Sequence, residues 1–411
     1  MRNTSLKLAF KVLARRKVFT AISLVGITLT LVILMVVAAI FDNTFGAAAP
    51  ESRIRRMLFV RTVGQYGPNS SNTSNPGYGF LQRTIRNLPG AENVSIYGEA
   101  STAVIYDKGR RIEAQMTRAD GAYWQILDFR FVEGGPYSAA DDESDRRVVV
   151  LSETLRDKVF GGKGVIGRSL NIVGSNYRVV GVVAPVAATR IAAWSEMYAP
   201  IGALTAEERA AFMGHFNGLV LARSRGDIAR LQREFASRVA REPIKDPKEY
   251  KEIRASLDTP FEAFARQITG NREQHPALIV GSIFAGLTLL FMSLPALNLI
   301  TLNLSRIMER APEIGVRKAF GAPRRALVMQ FIAENIVLTL IGGAIGFILS
   351  IVMLRALEAS GVVPDAHLSI NLRIFLYGIV IAVVFGVFSG AYPAWKMSRL
   401  HPVDALRGGS L

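Results

Sequence analysis

The side chains that catalysis or metal binding would require are few and scattered in this sequence. It contains no cysteine, which excludes a disulfide framework, a thiolate zinc site and a cysteine nucleophile. The four histidines do not recur at the i, i+4 spacing that places two metal ligands on one face of a helix. They are His215, His275, His367 and His401. We therefore expect no metal site built on these residue types.

Two other stretches have part of the pattern of a binding site, one for calcium and one for phosphate, but each lacks required residues. The acidic cluster at 141–145 lacks the glycine spacing and the distal glutamate of an EF-hand, so we interpret it as a solvated turn. The run Gly161-Gly162-Lys163 has only part of a phosphate-binding loop, because the Walker A pattern G-x-x-x-x-G-K-[S/T] occurs nowhere in the chain. Neither G-x-S-x-G nor H-E-x-x-H is present. We expect no catalytic residue, no cofactor and no enzyme activity in this chain itself.

Apolar residues make up 50% of the 411-residue chain and concentrate in four long runs. These runs cover 19–41, 277–304, 326–354 and 373–393, and a helix needs about 20 residues to cross the hydrocarbon core. The first run is longer than the apolar core of a signal peptide, about 7–15 residues, which favours an uncleaved anchor over a cleaved signal. The predicted fold class is an α-helical membrane protein with four transmembrane helices plus a large mixed α/β extracytoplasmic domain.

The distribution of charge predicts the orientation of these spans. Basic residues dominate the segments 1–18, 305–325 and 394–411, whereas 355–372 carries one arginine against two acids. Since positively charged segments stay in the cytoplasm, both termini and the 305–325 loop are predicted to be cytoplasmic. Segments 42–276 and 355–372 then face away from the cytoplasm. Most of the net charge of +16 is thereby explained by topology, and we expect no nucleic-acid partner.

The outward segment 42–276 has a mixed α/β pattern. Short strands and amphipathic helices alternate at its two ends, at about 42–105 and 206–276, which predicts one split, porter-like α/β subdomain. Strands around a short helix at 153–160 predict an inserted β-rich subdomain at about 106–205. Residues 64–79, rich in Gly, Asn, Ser and Pro, predict a mobile surface loop.

The cytoplasmic loop 305–325 contains a short helix of its own. Pro312 suits the first turn of a helix and Glu313 complements its N-terminal dipole, whereas Gly321 suits the position after its end. A loop that only sets topology would need no such signals, so we interpret this helix as a docking element. Its predicted contact residues are Pro312, Glu313, Ile314, Gly315, Val316, Arg317, Lys318, Ala319, Phe320 and Gly321.

Small residues in the last two spans predict close helix packing. Gly342 and Gly346 recur at four-residue spacing in span three, and Gly386 and Gly390 do so in span four. Glu334 lies two turns into span three, where an acid is a candidate functional group. Its position near the cytoplasmic interface favours local hydrogen bonding over a role in proton transport.

Several of these stretches together resemble the permeases of MacB/FtsX-type ABC transporters. The most specific is Glu313 to Ala322, E-I-G-V-R-K-A-F-G-A, followed by Gln330-Phe331, Glu334 and Gly342-Gly343. The tail from Tyr392-Pro393-Ala394 to Arg407 is similar to the C-terminal end of the same family. In the outer segment, the similar stretches are Gly134, 148–151, Phe160-Gly161-Gly162, Gly167 and 179–182.

The resemblance implies a dimer of four-span permeases, a homodimer or a paralogous heterodimer, driven by cytoplasmic ATPases. Segment 312–321 would be the coupling helix seated in the ATPase. MacB itself carries its ATPase before the permease, whereas this sequence begins 18 residues before span one, so the ATPase is expected on a separate subunit. Motion of the outer domain would serve efflux or export, with a periplasmic adaptor and an outer-membrane channel as further candidate partners.

A second hypothesis remains from the same resemblance. An FtsX-like chain would use its outer domain to regulate an envelope hydrolase or to sense a ligand rather than to drive export. Such regulators tend to carry a smaller outer domain than the one predicted here.

Overall fold

A computed structural model describes residues 17–107, 109–143, 146–202, 204–309, 324–366, 368 and 372–398. In parts of the long helices it describes the backbone alone. The chain divides into two compact units. We call Asn43–Gly281 together with Gly361–His367 the outer unit, and the remainder the helical unit.

The helices, in chain order, have the following bounds. They are α1 Lys17–Phe45, α2 Tyr78–Thr84, α3 Tyr123–Ile126, α4 Ala139–Glu143, α5 Glu153–Phe160, α6 Ala206–Ala210, α7 Ile228–Val239, α8 Pro260–Thr269, α9 Pro276–Glu309, α10 Arg324–Ala359 and α11 Leu372–Ser398. Two 3-10 turns, Ile54–Arg56 and Arg225–Asp227, precede β1 and α7.

The strands are short, and all lie in the outer unit. They are β1 Met57–Val60, β2 Val63–Tyr66, β3 Ser71–Pro76, β4 Ala91–Gly98, β5 Ser101–Asp107, β6 Arg110–Ala119, β7 Phe131–Gly134, β8 Val148–Ser152, β9 Ser169–Ile172, β10 Ser175–Val183, β11 Met197–Pro200, β12 Met213–Gly214, β13 Phe216–Ala222 and β14 Glu252–Ala255.

The four long helices α1, α9, α10 and α11 contain the four apolar runs of the sequence. Among the described residues, two stretches are long and apolar enough to cross a membrane, Thr20–Phe45 and Ile332–Ala359. Pro276–Phe291 and Phe375–Val384 are shorter apolar stretches within α9 and α11. A membrane-integral chain is thus supported, and the count of four spans stays a prediction.

Most strands of the outer unit join one ten-stranded sheet, in the order β1-β13-β4-β6-β11-β8-β10-β9-β5. Strand β7 pairs with β10 beside this path, and β5 also pairs with β6. The strands from β6 to β5 therefore close into a ring. Strand pairs β10–β8 and β11–β6 are parallel, and the others in this sheet are antiparallel.

The ring has an apolar interior because its strands alternate inward and outward side chains. In β6, Ile112, Ala114 and Met116 are buried, and the residues between them are less so. They pack in one core with Leu155 and Val159 from α5. Helix α5 is capped by the Ser152 side chain, which accepts from the Leu155 N–H, and it ends at Gly161 with a positive φ of 74°.

The other end of the sheet is an α/β layer. Strands β1, β13 and β4 pair side by side, and α2 and α7 cover one face of them. Phe80 and Leu81 of α2 pack in one core with Leu231 and Phe235 of α7, all fully or almost fully buried. The division of the outer domain into a porter-like part and an inserted β-rich part stays a prediction.

The prediction of a mobile loop at 64–79 is wrong. Residues 63–66 and 71–76 form strands β2 and β3, which pair as a hairpin within a second, four-stranded sheet of order β12-β3-β2-β14. Strand β14 lies almost two hundred residues further along the chain, at 252–255. This pairing supplies the backbone partners that a polar, glycine-rich stretch does not reveal by its own pattern.

Candidate functional site

The residues that end helix α1 are held by a loop of the outer unit. The loop is 187–194, between β10 and β11. Its Thr189 Oγ1 donates to Asn43 Oδ1 at 2.5 Å, and its Arg190 Nη1 donates to the Gly46 carbonyl at 2.7 Å. Arg190 is 8% exposed, so this charged hydrogen bond is shielded from water. The 187–194 loop thereby fixes the chain where it leaves the first apolar helix.

A buried glutamate continues this attachment. Glu51 Oε1 accepts from the N–H groups of Ala192 and Ala193 at 2.8 and 3.1 Å, and Glu51 is fully buried. Its Oε2 lies 3.9 Å from Arg190 Nη1, which is an ion pair without a hydrogen bond. Burial raises the pKa of Glu51, against the lowering effects of the two N–H groups and Arg190. Desolvation thus outweighs the stabilisation of the carboxylate by its neighbours.

An aromatic contact joins the end of α1 to the helix that precedes α9. The Phe45 ring lies 5.6 Å from the rings of both Phe261 and Phe264, edge to face in each case. Both partners belong to α8, which starts with a capping box between Thr259 and Glu262. Only residues 270–275 separate α8 from α9. The chain leaving the first apolar helix therefore contacts the chain entering the second.

Helix α8 is itself fixed to the edge of the large sheet. Arg266 donates to both oxygens of Asp258, at 2.6 and 2.9 Å, and each residue is at most 8% exposed. The Asp258 backbone exchanges two hydrogen bonds of 2.8 Å with Phe59 in β1. This bidentate pair makes α8 a rigid support for the aromatic contact.

The loop between α10 and α11 meets the same region. The Ala188 N–H donates to the Pro364 carbonyl at 3.0 Å, and Thr154 Oγ1 donates to Asp365 Oδ1 at 3.1 Å. Pro364 and Asp365 belong to the outer unit with their partners. The 187–194 loop thus contacts both the segment that follows α1 and the one that follows α10. We call Asn43–Glu51, the 187–194 loop, α8 and 361–366 together the junction.

The sequence gives no sign of the junction. Arg190 and Glu51 lie about 140 residues apart, and neither stands in a motif. A charged residue inside the alanine-rich stretch 184–193 is the one local signal that could have drawn attention to Arg190.

The predicted docking residues, Pro312 to Gly321, lie outside the residues that the structure describes. Their role as a coupling helix stays a prediction. Gly386 and Gly390 lie in α11, where the surroundings of these two positions are likewise not described.

The other two predicted packing glycines lie against α1 within the helical unit. A Cβ atom on Gly342 would lie 2.9 Å from Cγ2 of Ile27, and one on Gly346 would lie 3.3 Å from Cβ of Leu31. Thr28 Oγ1 donates to the Gly342 carbonyl at 3.1 Å. This geometry leaves no room for a side chain at Gly342 without a shift of α1. The packing role of the glycines stays a prediction. Glu334 is buried, 3% exposed, in the same helix.

The acidic stretch 141–145 has a local structural role where it is described. Asp141 Oδ2 accepts from the backbone N–H and the hydroxyl of Ser138, and Asp141 Oδ1 lies 3.0 Å from Arg146 Nη1. These hydrogen bonds and the positive charge of Arg146 lower the pKa of Asp141. Across the described parts of the chain, no group of three or more His, Asp or Glu residues is placed to hold a metal ion.

Comparisons with known proteins cover both units. Residues 20–238 match the family model of the MacB-like periplasmic core domain, and residues 283–402 match that of the FtsX-like permease C-terminal region. The chain is 27% identical over 334 residues to a macrolide export ATP-binding/permease protein MacB of Bdellovibrio bacteriovorus, covering 79% of this chain and 48% of that protein. It thus spans about half the length of that relative.

A second relative corresponds in length. The chain is 25% identical over 336 residues to an uncharacterized ABC transporter permease, YknZ, of Bacillus subtilis, covering 80% of this chain and 79% of that protein. Among solved structures, the periplasmic region of MacB from Actinobacillus actinomycetemcomitans matches with a TM-score of 0.36 and 13% identity, covering 52% of this chain and 93% of that one.

Proposed function

This chain belongs to the MacB/FtsX-type ABC transporter permeases, and we propose that it couples ATP hydrolysis by a separate cytoplasmic ATPase to motion of its outer domain. The family implies an ATPase partner and a membrane context. A separate ATPase subunit is supported by the YknZ relative, which is named as a permease alone and matches this chain over most of its length.

The observation that carries the proposal is the junction. A domain that did not move with the membrane helices would need only a flexible linker to the helix at each of its ends. Here the Gly46 carbonyl, directly after α1, accepts from the buried Arg190 guanidinium, and Phe45, the last residue of α1, packs against the helix that precedes α9. Stiff contacts of this kind transmit a displacement of the helices to the domain, because packed interfaces shift as units rather than deform continuously.

The input of the motion is proposed to be the 312–321 helix. Arg317 and Lys318 provide charge, and Val316 and Phe320 provide an apolar surface, for a seat on the ATPase. A change in the ATPase dimer would displace this helix and then the two helices that it connects, α9 and α10. The junction would pass that displacement to the sheet of the outer unit.

The output is proposed to be export. The MacB relative is named for macrolide export, and transfer of that activity to this chain is part of the proposal. A second permease, identical or paralogous, completes the proposed complex. A periplasmic adaptor and an outer-membrane channel are proposed partners for the outer domain, with both termini of the chain in the cytoplasm of an inner membrane.

The experiment tests the input side. The chain is purified in mild detergent from its native host, and copurifying subunits are identified by mass spectrometry. We expect an ABC ATPase in the wild-type preparation. The double variant Arg317→Glu and Lys318→Glu should lose most of that subunit and the associated ATPase activity.

A matched control separates docking from topology. Arg324→Glu with Arg325→Glu makes the same change of charge at the start of α10, outside the proposed docking residues. This control should retain the ATPase. If the two double variants retain equal amounts of ATPase, the 312–321 helix is not the docking element. If no ATPase accompanies the wild type, the coupling proposal itself fails.

A further inference from the structure

A cavity of about 450 Å³ lies inside the outer unit. Strands β4, β6 and β13 form one wall, and the 187–194 loop and helix α8 form the others. The volume falls in the range of pockets that hold small molecules, about 300–1,000 Å³. The proposed coupling of this chain to an ATPase assigns no role to this cavity.

Three buried polar atoms on its wall have no hydrogen-bond partner among the described residues. They are the Tyr97 hydroxyl, the Asn217 side-chain oxygen Oδ1 and Arg61 Nε. Tyr97 is 4% exposed and Asn217 is 2% exposed. These two residues stand directly opposite each other on β4 and β13, so their side chains leave the sheet on the same face.

Such a cluster is unusual in a folded protein. Buried side-chain polar atoms are nearly always hydrogen-bonded, because an unpaired one costs about 1–3 kcal/mol. Here a donor, an acceptor and a hydroxyl that can be either converge on a single cavity. Burial raises the pKa of Tyr97 to about 12, so its hydroxyl keeps its proton and can donate. The three atoms together form a complementary set for a polar ligand.

The charged side chains on the wall favour an anion. They are Arg61 and Arg190, against one acid, Glu99, which is exposed and accepts from Asn75 at 3.2 Å. Arg190 already faces the buried carboxyl of Glu51 at 3.9 Å, so Arg61 is the cation on which the anion depends. The Nη atoms of Arg61 lie 2.9 and 3.1 Å from the side-chain amide of Gln267, whose oxygen accepts from both in the favourable orientation. The partner of Arg61 is therefore neutral, and its positive charge is not cancelled there.

The apolar part of the wall favours a flat ring. Trp194 and Phe264 line the cavity together with the ring of Tyr97. Aromatic side chains offer large, rigid faces against which a planar group packs. The cavity thus combines positive charge, one acceptor without a hydrogen-bond partner among the described residues (Asn217 Oδ1) and aromatic faces.

We propose that this cavity binds a small organic anion that carries a planar apolar ring and one hydrogen-bond donor. The anionic group accepts from Arg61 Nε and from the Tyr97 hydroxyl. The donor meets Asn217 Oδ1, and the ring packs against Trp194. The cavity shares the 187–194 loop and α8 with the junction, but binding of a ligand there is measured without the ATPase, so it can fail while the coupling proposal stands.

The test uses the full chain in nanodiscs and 3-hydroxy-2-naphthoate as the probe, which has a carboxylate, a phenol donor and a fused ring. Binding is titrated by ligand-observed saturation-transfer NMR. We expect saturable binding that is absent from protein-free nanodiscs. Tyr97→Phe removes a hydrogen bond to the anionic group and should raise Kd about 10- to 150-fold, and Arg61→Gln should raise it at least about tenfold.

Thermal stability distinguishes a ligand site from a structural hydroxyl. Because the Tyr97 hydroxyl has no partner among the described residues, Tyr97→Phe should leave the Tm unchanged or higher. Tyr106→Phe is the matched control: it lies in the same unit, is 52% exposed, is absent from the cavity wall and should change neither Kd nor Tm. 2-Naphthol, which lacks the carboxylate, should bind at least about tenfold more weakly than the probe.

Three results would overturn the proposal. One is the absence of saturable binding at millimolar probe. Another is an equal Kd in wild type, Tyr97→Phe and Arg61→Gln. The third is a Tyr97→Phe variant that melts several degrees below wild type, which would show that the hydroxyl serves the fold instead.

Discussion

Replacing Arg190 by methionine removes the guanidinium that holds the end of α1 while retaining an apolar side chain of similar length. The lost hydrogen bond, from Arg190 Nη1 to the Gly46 carbonyl, is short at 2.7 Å and buried. Hydrogen bonds to charged groups contribute about 1.5–3 kcal/mol. The ion pair to Glu51 is longer, 3.9 Å, and burial has already raised the pKa of that carboxyl. Glu51 can therefore take up a proton rather than remain as a buried, unpaired charge.

We expect Arg190→Met to destabilise the outer unit by about 2–4 kcal/mol. For a unit of this size, 1 kcal/mol shifts the Tm by about 2–4 °C, so the loss should be about 4–16 °C. The assay is thermal unfolding of the full chain in detergent, followed by tryptophan fluorescence. Trp124 and Trp194 both lie in the outer unit.

Arg111→Met is the control that separates burial from the presence of an ion pair. Arg111 makes a shorter contact to Glu113, 2.7 Å, but the side chains of the pair are 63% and 55% exposed. Exposed pairs contribute about 0–1 kcal/mol, so this variant should melt within about 4 °C of wild type. Equal Tm losses in the two variants would refute the reasoning, because burial of the Arg190 contact would then add nothing.

Two further predictions concern charge and packing. Burial raises the pKa of Glu51 in the folded protein above its ordinary value in the unfolded chain. Between these two pKa values the folded protein binds more protons than the unfolded one. The free energy of unfolding of the wild type should therefore rise as the pH falls through this window. Glu51→Gln keeps an acceptor and cannot titrate, so the Tm of wild type relative to this variant should increase from pH 8 to pH 5; a constant difference would contradict it. Gly342→Leu should overpack the contact with Ile27, lower the free energy of unfolding by about 1–3 kcal/mol and thereby lower the Tm in detergent. Gly286→Leu is the control, because no atom lies within 4 Å of a Cβ added there. This control should leave the Tm almost unchanged. Equal losses at the two glycines would argue against close packing at Gly342.

Local signals in the sequence predicted local structure well. Helix 153–160 has the predicted bounds, and in the structure Ser152 and Gly161 cap its two ends. Strands with uninterrupted apolar runs, such as 148–151, were also recognisable, because a strand buried on both faces needs such a run. In these cases the physical cause lies within a few residues of the element.

Pairings over long distances could not be read in the same way. The segment 64–79 forms a hairpin, and β14, at 252–255, pairs with it in the same sheet. The Gly, Asn and Ser-rich pattern of the segment does not predict that pairing. The junction has the same character, since Arg190 and Gly46 are far apart in the sequence and become neighbours through the fold of the outer unit. The cavity was likewise hidden, because Tyr97 and Asn217 become opposite one another through strand register.

In the proposed function, the nucleotide state of the ATPase moves the outer domain through the junction. The most direct measurement is a pair of cryo-electron microscopy structures of the intact complex, one nucleotide-free and one trapped with ATP and vanadate. We expect the outer domains to shift between the two states while the contacts from Arg190 to Gly46 and from Phe45 to Phe264 persist in both. Outer domains in the same position in both states, or a shift in which these contacts break, would contradict it.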